Sequence, residues 1–339
     1  MMQSLPSRWR LLARRLLVCL SGFYLAALLL VWILLATAGD RWWPATGIMF
    51  APRWIWGLPL ALLIPAALVL SRRLLWLLLG AATVLVFPVM GLCLPWQIYG
   101  AEAPPEAKVR LFSLNVHWAE KKLAGLTTLI AETDPDIVVL QGCSSHALAG
   151  LFQEHGWHVH SQGQFCLGSR FPILETSVIE SPHPGKSWVR YYRLDAPGGP
   201  LHLFNLHLQT PREGLVAVRH QGLEGGETLE KNSAIRREQS AAIAHWIGQV
   251  EGRVLIAGDF NTPPESAIYR DYWSPFVNAF SQAGLGWGYT FYNNRTATRI
   301  DHILGSPGWR CRRCWVGPDV GSEHRPVIAD MDWLGGDGS

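Results

Sequence analysis

Apolar and polar positions divide the chain before any motif is considered. Three long apolar runs fill the first hundred residues, over about 16–38, 54–70 and 74–94. A spanning helix needs roughly 20 apolar residues, with a range of about 17–25, so each run reads as a membrane span. The second is at the short end and carries Pro59 and Pro65. Lipid tolerates those prolines only where neighbouring helices satisfy the freed carbonyls. A re-entrant hairpin over residues 54–94 is the alternative. A cleavable signal peptide is disfavoured, because no small-residue cleavage site follows the first run and two apolar runs come after it.

From residue 108 the pattern changes. Short β-type runs end in polar residues: Val109 to Asn115, Asp136 to Gln141, Leu201 to His207, Arg253 to Asn261, Arg299 to Leu304 and Ser322 to Asp330. Aliphatic β-formers bounded by turn residues read as buried strands. Helical spacing lies between them, over 123–133 and over 233–249, where Ile235, Ala242, Ile243 and Ile247 mark one face. Residues 212–232, rich in Gly and charge, read as a surface loop. Strands and helices interleaved in this way predict two sheets packed face to face with helices outside. The expected organisation is a membrane anchor over 1–98, an extended linker over 99–107 and one α/β domain over 108–334.

Charge sharpens this division. Eight of the 29 Lys and Arg and one of the 26 Asp and Glu precede residue 101, which leaves 21 bases against 25 acids, a net −4 for the rest. A tight, sequence-independent nucleic-acid binder is basic, so a dedicated DNA-wrapping surface is excluded. Arg8, Arg10, Arg14 and Arg15, with Arg72 and Arg73 in the second turn, belong on the cytoplasmic side. Three spans then place the C-terminal domain in the periplasm or outside the cell. Arg41 and Arg53 run against that rule, while Trp42, Trp43, Trp54 and Trp56 sit where an aromatic interface belt would.

The cysteines do not settle the compartment. Cys143 and Cys166 lie in the domain with Cys311-x-x-Cys314, and no second pair at zinc spacing accompanies the latter. In a strand, positions three apart point to opposite faces, so structural cysteines are expected there. Trp157, Trp188, Trp273 and Trp287 are candidates for a substrate cleft, with core packing as the plainer alternative.

The polar strand ends carry the chemistry. Singly, a His at a strand end is a hydrogen-bonded structural residue and an Asp after Gly is a turn. Together, Asn115, His207, Asp259, Asn261, Asp301 and His324 end or flank buried strands. Strand ends on one rim converge on one pocket. Phosphodiester hydrolysis needs a divalent cation to neutralise phosphate and a carboxylate to orient or deprotonate water. It also needs donors for the charge developing on phosphoryl oxygens. A His held by an Asp supplies a charged donor, and the carboxamides supply neutral ligands.

The run from Lys108 to Leu334 resembles the endonuclease/exonuclease/phosphatase superfamily, through motifs that match in order. These are Ser113-Leu-Asn115-Val, Asp136-Ile-Val-Val-Leu-Gln141, Ser169-Arg170-Phe-Pro-Ile173, Asn205-Leu-His207-Leu and Arg236-x-x-Gln239. They continue with Gly258-Asp259-Phe-Asn261, Thr290-Phe291, Arg299-Ile-Asp301-His-Ile and Ser322-Glu-His324-Arg-Pro-Val. The resemblance implies a four-layer α/β sandwich and a Mg²⁺- or Mn²⁺-dependent phosphodiesterase or nuclease. In such an enzyme Asp259 would position or activate the attacking water. Asn115 and Asn261 would help hold metal and phosphate, and His207 would donate to a phosphate oxygen. His324, paired with Asp301, would act on the scissile phosphate.

Two positions depart from the pattern. Where the family carries a metal-binding Glu after the Gln of its Leu-Gln-Glu motif, this chain has Gly142. Where it usually has Asp before the last His, this chain has Glu323, one methylene longer and a candidate to take over part of the metal binding; against that compensation, the carboxylate missing at Gly142 is expected to impair catalysis. The expected substrate is a phosphodiester, in nucleic acid or in a lipid headgroup. A non-catalytic phospholigand-binding protein is the reading that Gly142 favours.

Overall fold

The first apolar run forms one long helix, α1 (Ser7–Ala38), with no acid in its first turn and no base in its last. A computed structural model of the chain describes residues 7–95, 105–116, 124–143, 151–152, 156–179, 188–293 and 296–335. After α1 the chain makes a short helix, α2 (Trp43–Phe50), and a 3₁₀ turn over Arg53–Gly57 that leads into α3 (Leu58–Leu70), with Pro65 inside it. The third run is α4 (Leu74–Val84), continued by a π turn over Leu85–Val89 that contains Pro88. Proline removes a backbone donor and wedges against the preceding turn, and the wider π turn accommodates it.

Two of these helices, Arg8–Ala38 and Arg53–Leu70, are long and apolar enough to cross a membrane, rather than the three expected; Leu74–Val89 is shorter. The three helices pack on one another through Leu28, Leu35, Leu78 and Ala81, all buried. Their outer faces expose Phe23, Leu62, Val69 and Trp76. Such a surface suits lipid rather than water.

Among the described residues, fourteen strands follow: β1 (Ala107–Asn115), β2 (Ile137–Gln141), β3 (His158–Gln162), β4 (Phe165–Ser169), β5 (Ile173–Val178), β6 (Val189–Ala196), β7 (Gly199–His207), β8 (Arg253–Asp259), β9 (Val277–Asn278), β10 (Phe291–Tyr292), β11 (Ala297–Thr298), β12 (Asp301–Gly305), β13 (Trp309–Val316) and β14 (Val327–Trp333). One six-stranded sheet runs β13-β14-β1-β2-β4-β3, the other β5-β6-β7-β8-β12-β9, and β10 with β11 forms a separate ribbon. Val109, Leu111, Val139, Leu203, Leu255 and Ile303 fill the space between the two sheets. On the outer face of the first sheet lies α5 (Ala124–Thr133), through Leu126 and Ile130. The second sheet is covered by α7 (Gly225–Ile247) and α8 (Ala267–Tyr272), through Ile243, Ile247 and Tyr269. This is the two-sheet α/β sandwich that the interleaved pattern predicts.

Several expectations need correction. Residues 212–232 are not a loop: they form α6 (Arg212–Gln221) and the start of α7. Gly214, Gly225 and Gly226 there serve close packing. A Cβ on Gly225 would lie 2.2 Å from the Ala217 backbone, and one on Gly214 would lie 2.4 Å from Leu229. Cys311 and Cys314 both face the inter-sheet core, because a register shift between Cys311 and Arg313 inserts an extra residue and reverses the alternation. The final strand starts at Val327, so Ser322 to His324 precede it and only His324 is bridged, to Phe291. Strands β3 to β6 and β9 to β11 were not read from the sequence. Of the expected linker, 99–104 lies outside the described residues, and β1 starts at Ala107, two residues earlier than the predicted strand.

The N-terminal helices are locked to the sandwich. Asp40, the one acid among the first hundred residues, pairs with Arg236 of α7 at 2.6 Å, both side chains fully buried. Arg53 pairs with Glu265 at 3.2 Å and Arg41 with Asp271 at 2.9 Å. Cys93 exchanges two backbone hydrogen bonds with Gly286, at 2.8 and 3.0 Å. The two arginines that ran against the charge rule therefore answer acids of the α/β domain. The segments 39–57 and 90–93 both meet that domain.

Candidate active site

Register builds the site. In the second sheet His207 on β7 lies beside Asp259 on β8, and Asp259 lies opposite Asp301 on β12. One row across three strands therefore presents an imidazole and two carboxylates. From the other sheet, Asn115 at the end of β1 donates from Nδ2 to Asp259 Oδ2 at 2.8 Å. Adjacent strand ends of the two sheets thus meet at Asp259, which is 1% exposed.

Two histidines flank it. His324 Nδ1 lies 2.9 Å from Asp301 Oδ2, and its Nε2 lies 3.8 Å from Asp259 Oδ2. Burial alone would lower the His324 pKa, but the Asp301 and Asp259 carboxylates outweigh it and carry it up to about 9. The ring is therefore an imidazolium at neutral pH. His207 Nε2 lies 3.5 Å from the same Asp259 oxygen, and its Nδ1 meets Gln164 Oε1 at 2.8 Å. A carboxamide oxygen only accepts, so that contact assigns the proton to Nδ1. Burial raises the Asp259 pKa, and Asp301 pushes the same way against His324, His207 and the Asn115 hydrogen bond.

Local backbone fixes these groups. Asn261 adopts φ +48°, a conformation that Asn tolerates better than most residues. Its N–H donates to Asp259 Oδ1 at 2.9 Å and its Nδ2 to the Leu208 carbonyl at 2.9 Å. The carboxamide oxygen is thereby its ligand-type end. At Gly258, φ is +142° and a Cβ would lie 2.0 Å from the Leu206 carbonyl oxygen, so only glycine lets β8 sit this close to β7. Thr290 Oγ1 accepts from the backbone N–H of Ile300 and Asp301, and Ser322 Oγ donates to the Asn115 carbonyl at 2.7 Å.

All six strand-end residues of the sequence reading come together. Asp259, Asp301 and His324 bring ligand-type atoms within 4.8 Å of one another. Asn115, His207, Asp259, Asn261 and His324 open into one cleft of about 1690 Å³. Glu323 borders the same cleft but stands apart from the buried cluster: its carboxylate bonds Arg212 on α6, and its side chain is 42% exposed. Gly142 follows β2 at φ +60°. Of the four tryptophans, Trp188 lines the cleft, Trp273 is core, Trp157 packs beside Phe152 and Trp287 stacks on Tyr289 at the surface.

Sequence reasoning did not identify Gln164, Arg212 or the cleft contribution of α2. Gln164 occupies the hairpin between β3 and β4 with no motif around it. Arg212 lay in the stretch read as loop. Gly47, Phe50 and Ala51 of the anchor line the cleft, and no local signal marks them. The Cys143–Cys166 disulfide, across 23 residues, was also unread; it ties the segment after Gly142 to β4.

A family model described as the Endonuclease/Exonuclease/phosphatase family matches residues 112–324. A search of curated proteins returns no match. Among solved structures, humanized D. rerio TDP2 is similar over 66% of this chain and 99% of its own, at 18% identity and a TM-score of 0.53. An endonuclease/exonuclease/phosphatase family protein from Bacteroides thetaiotaomicron is similar over 68% and 99%, at 18% identity and a TM-score of 0.52. The 3′ phosphatase NExo from Neisseria, bound to a product DNA hairpin, is similar over 66% and 100%, at 20% identity and a TM-score of 0.50. At these identities the structural likeness speaks for the fold.

Proposed function

This chain belongs to the endonuclease/exonuclease/phosphatase family, and from that premise we propose that it is a metal-dependent phosphoric ester hydrolase of phosphodiesterase type, tethered to a membrane. The observation that carries this reading is the meeting of Asn115, His207, Asp259 and His324–Asp301 on one cleft.

The donor set fits a hard divalent cation such as Mg²⁺ or Mn²⁺. Asp259 offers a carboxylate, and Asn115 and Asn261 offer carboxamide oxygens beside it. Mg²⁺ sites use one or two carboxylates and complete their shell with water and phosphate. A bound cation would neutralise phosphate charge and polarise the phosphorus. Glu323 and Asp319 are further carboxylates lining the cleft, and Glu323 is held on Arg212.

The chain's own groups divide the remaining work. Asp259, buried among hydrogen-bond donors, orients the attacking water and accepts its proton. The imidazolium of His324, held by Asp301, donates to a phosphoryl oxygen as charge develops there. His207, its Nδ1 proton committed to Gln164, aims Nε2 at the same region. With its substrate phosphate so gripped, the reaction is in-line displacement by water.

The same reading takes the two long apolar helices and the shorter one over Leu74–Val89 as a three-pass anchor, with the N-terminus cytoplasmic and the sandwich on the far side. Arg72 and Arg73 lie at the turn between α3 and α4, away from the segments 39–57 and 90–93 that meet the sandwich. The Cys143–Cys166 disulfide supports an oxidising compartment for the domain.

The test uses full-length protein in detergent with a chromogenic phosphodiester, titrating Mg²⁺ and Mn²⁺ over wild type, Gly142→Glu and His324→Ala. Wild-type turnover that disappears in His324→Ala supports the hydrolase. Turnover only in Gly142→Glu identifies a site disabled at one ligand and favours the phospholigand-binding alternative. Silence in both, with the fold intact, sinks the enzyme reading.

A further inference from the structure

We propose that the cleft takes its substrate from the bilayer, so that the phosphoester it holds is the headgroup of a long-chain amphiphile. This rests on the hydrolase reading for the chemistry at the floor, but not for the docking surface.

The cleft has two unlike parts. Its floor is the buried polar cluster around Asp259. One wall comes from the anchor, through Gly47, Phe50 and Ala51, and another from α6, through Leu215 and Val216. Leu215 and Phe291 pack against the same apolar cluster that holds the anchor helices together. Phe291 in turn lies 5.1 Å from the His324 ring. The apolar interior of the anchor therefore runs without interruption to the catalytic imidazole. A wholly water-soluble phosphoester makes no use of such a wall.

The height of the cleft points the same way. The helix α2 lies between Trp42 and Trp54, both exposed. Exposed tryptophans flanking apolar helices mark the level of lipid headgroups. Two other segments that touch the anchor also expose large apolar side chains. Leu223 is 81% exposed and precedes Gly226, which abuts Trp43, while Leu285 and Trp287 flank Gly286, the partner of Cys93. These residues form a collar around the junction of anchor and sandwich. With the collar seated in the interface, the cleft wall of α2 lies where a lipid's phosphate already resides. The chains then extend along α2 and α6, and Arg212 and Arg219 on the α6 wall meet the anionic headgroup.

The test is made on full-length protein in nanodiscs, with a photo-crosslinkable long-chain alkyl phosphate and its short-chain counterpart, mapped by mass spectrometry. Long-chain labelling is expected on α2 and α6, around Phe50 and Val216. Val216→Asp, a change at a half-exposed position of the cleft wall, is expected to abolish that labelling. Leu223→Asp at the collar is expected to weaken it. Labelling confined to the outer faces of α1 and α3, or equal labelling by both probes, overturns the inference. So does an oligonucleotide that displaces the long-chain probe from the cleft, which would assign the site to nucleic acid. Diester turnover with scattered labelling removes the lipid substrate and leaves the hydrolase; labelling at α2 and α6 without turnover does the reverse.

Discussion

His302, one residue from Asp301, shows how finely burial separates neighbours. His324 is surrounded by carboxylates and is charged, whereas burial, aided by the nearby Arg299, takes the His302 pKa down to about 3. The His302 ring sits edge-on to Phe260 and Tyr269, with Nε2 at 2.9 Å from the Thr262 carbonyl. Its folded pKa lies below the ordinary value, so the stability it gives is complete above about pH 6.5 and drains as pH falls toward 3. The slope is about 1.4 kcal/mol per pH unit. Denaturant melts of wild type and His302→Asn between pH 7 and pH 4 should therefore converge as the pH falls; a constant gap would contradict a buried neutral ring. At Gly142 the prediction has two sides. A side chain at φ +60° costs about 1–2 kcal/mol, so Gly142→Glu should lower the melting temperature without metal and regain part of it with Mg²⁺.

At the scale of elements, α6 lines the cleft and is tightly joined to α7. Gly214 and Gly225 let the two helices approach to backbone contact. Gly225→Ala, ordinarily favourable inside a helix, should here destabilise the protein by about 1–3 kcal/mol, as overpacking does. Equilibrium unfolding in detergent measures it, and a gain in stability would show that the helices can separate freely. The sequence resemblance listed Arg236 and Gln239 as a motif, and the structure gives them a mechanical role. Arg236 donates to the Gln209 carbonyl, and Gln239 accepts the Gln209 N–H at 2.7 Å, so α7 fixes a cleft-lining segment.

At the scale of the whole molecule, anchor and sandwich are one folding problem. Removing one partner of a buried ion pair leaves an uncompensated charge and costs about 3–5 kcal/mol. Asp40→Ala should cost that much, since Arg236 is fully buried. The paired change Asp40→Leu with Arg236→Met should recover part of the loss. A domain starting at residue 101 lacks Asp40, the wall residues of α2 and the partners of Glu265 and Asp271. It should therefore melt lower than the full chain and resist refolding; equal melting temperatures would show the anchor to be a mere tether.

What the sequence determined by itself were properties local to a few residues. Long apolar runs marked the N-terminal helices, and aliphatic strands bounded by Asn115, His207, Asp259 and Asp301 marked both the sandwich and its polar rim. These are legible because a strand's burial and its terminal side chain lie within one stretch of chain. The tertiary structure alone decided what depends on contacts between distant stretches. It placed Glu323 against Arg212, joined Cys143 to Cys166 and turned Cys314 inward through a bulge. It also buried Asp40 on Arg236, across 196 residues. A glycine-rich, charged segment reads as loop until a second helix comes so close that a Cβ on Gly225 would lie 2.2 Å from its backbone, and nothing along 47–51 marks it as a wall of the cleft. Neither the close approach nor the shared wall exists in either segment alone, so no pattern along the chain records them.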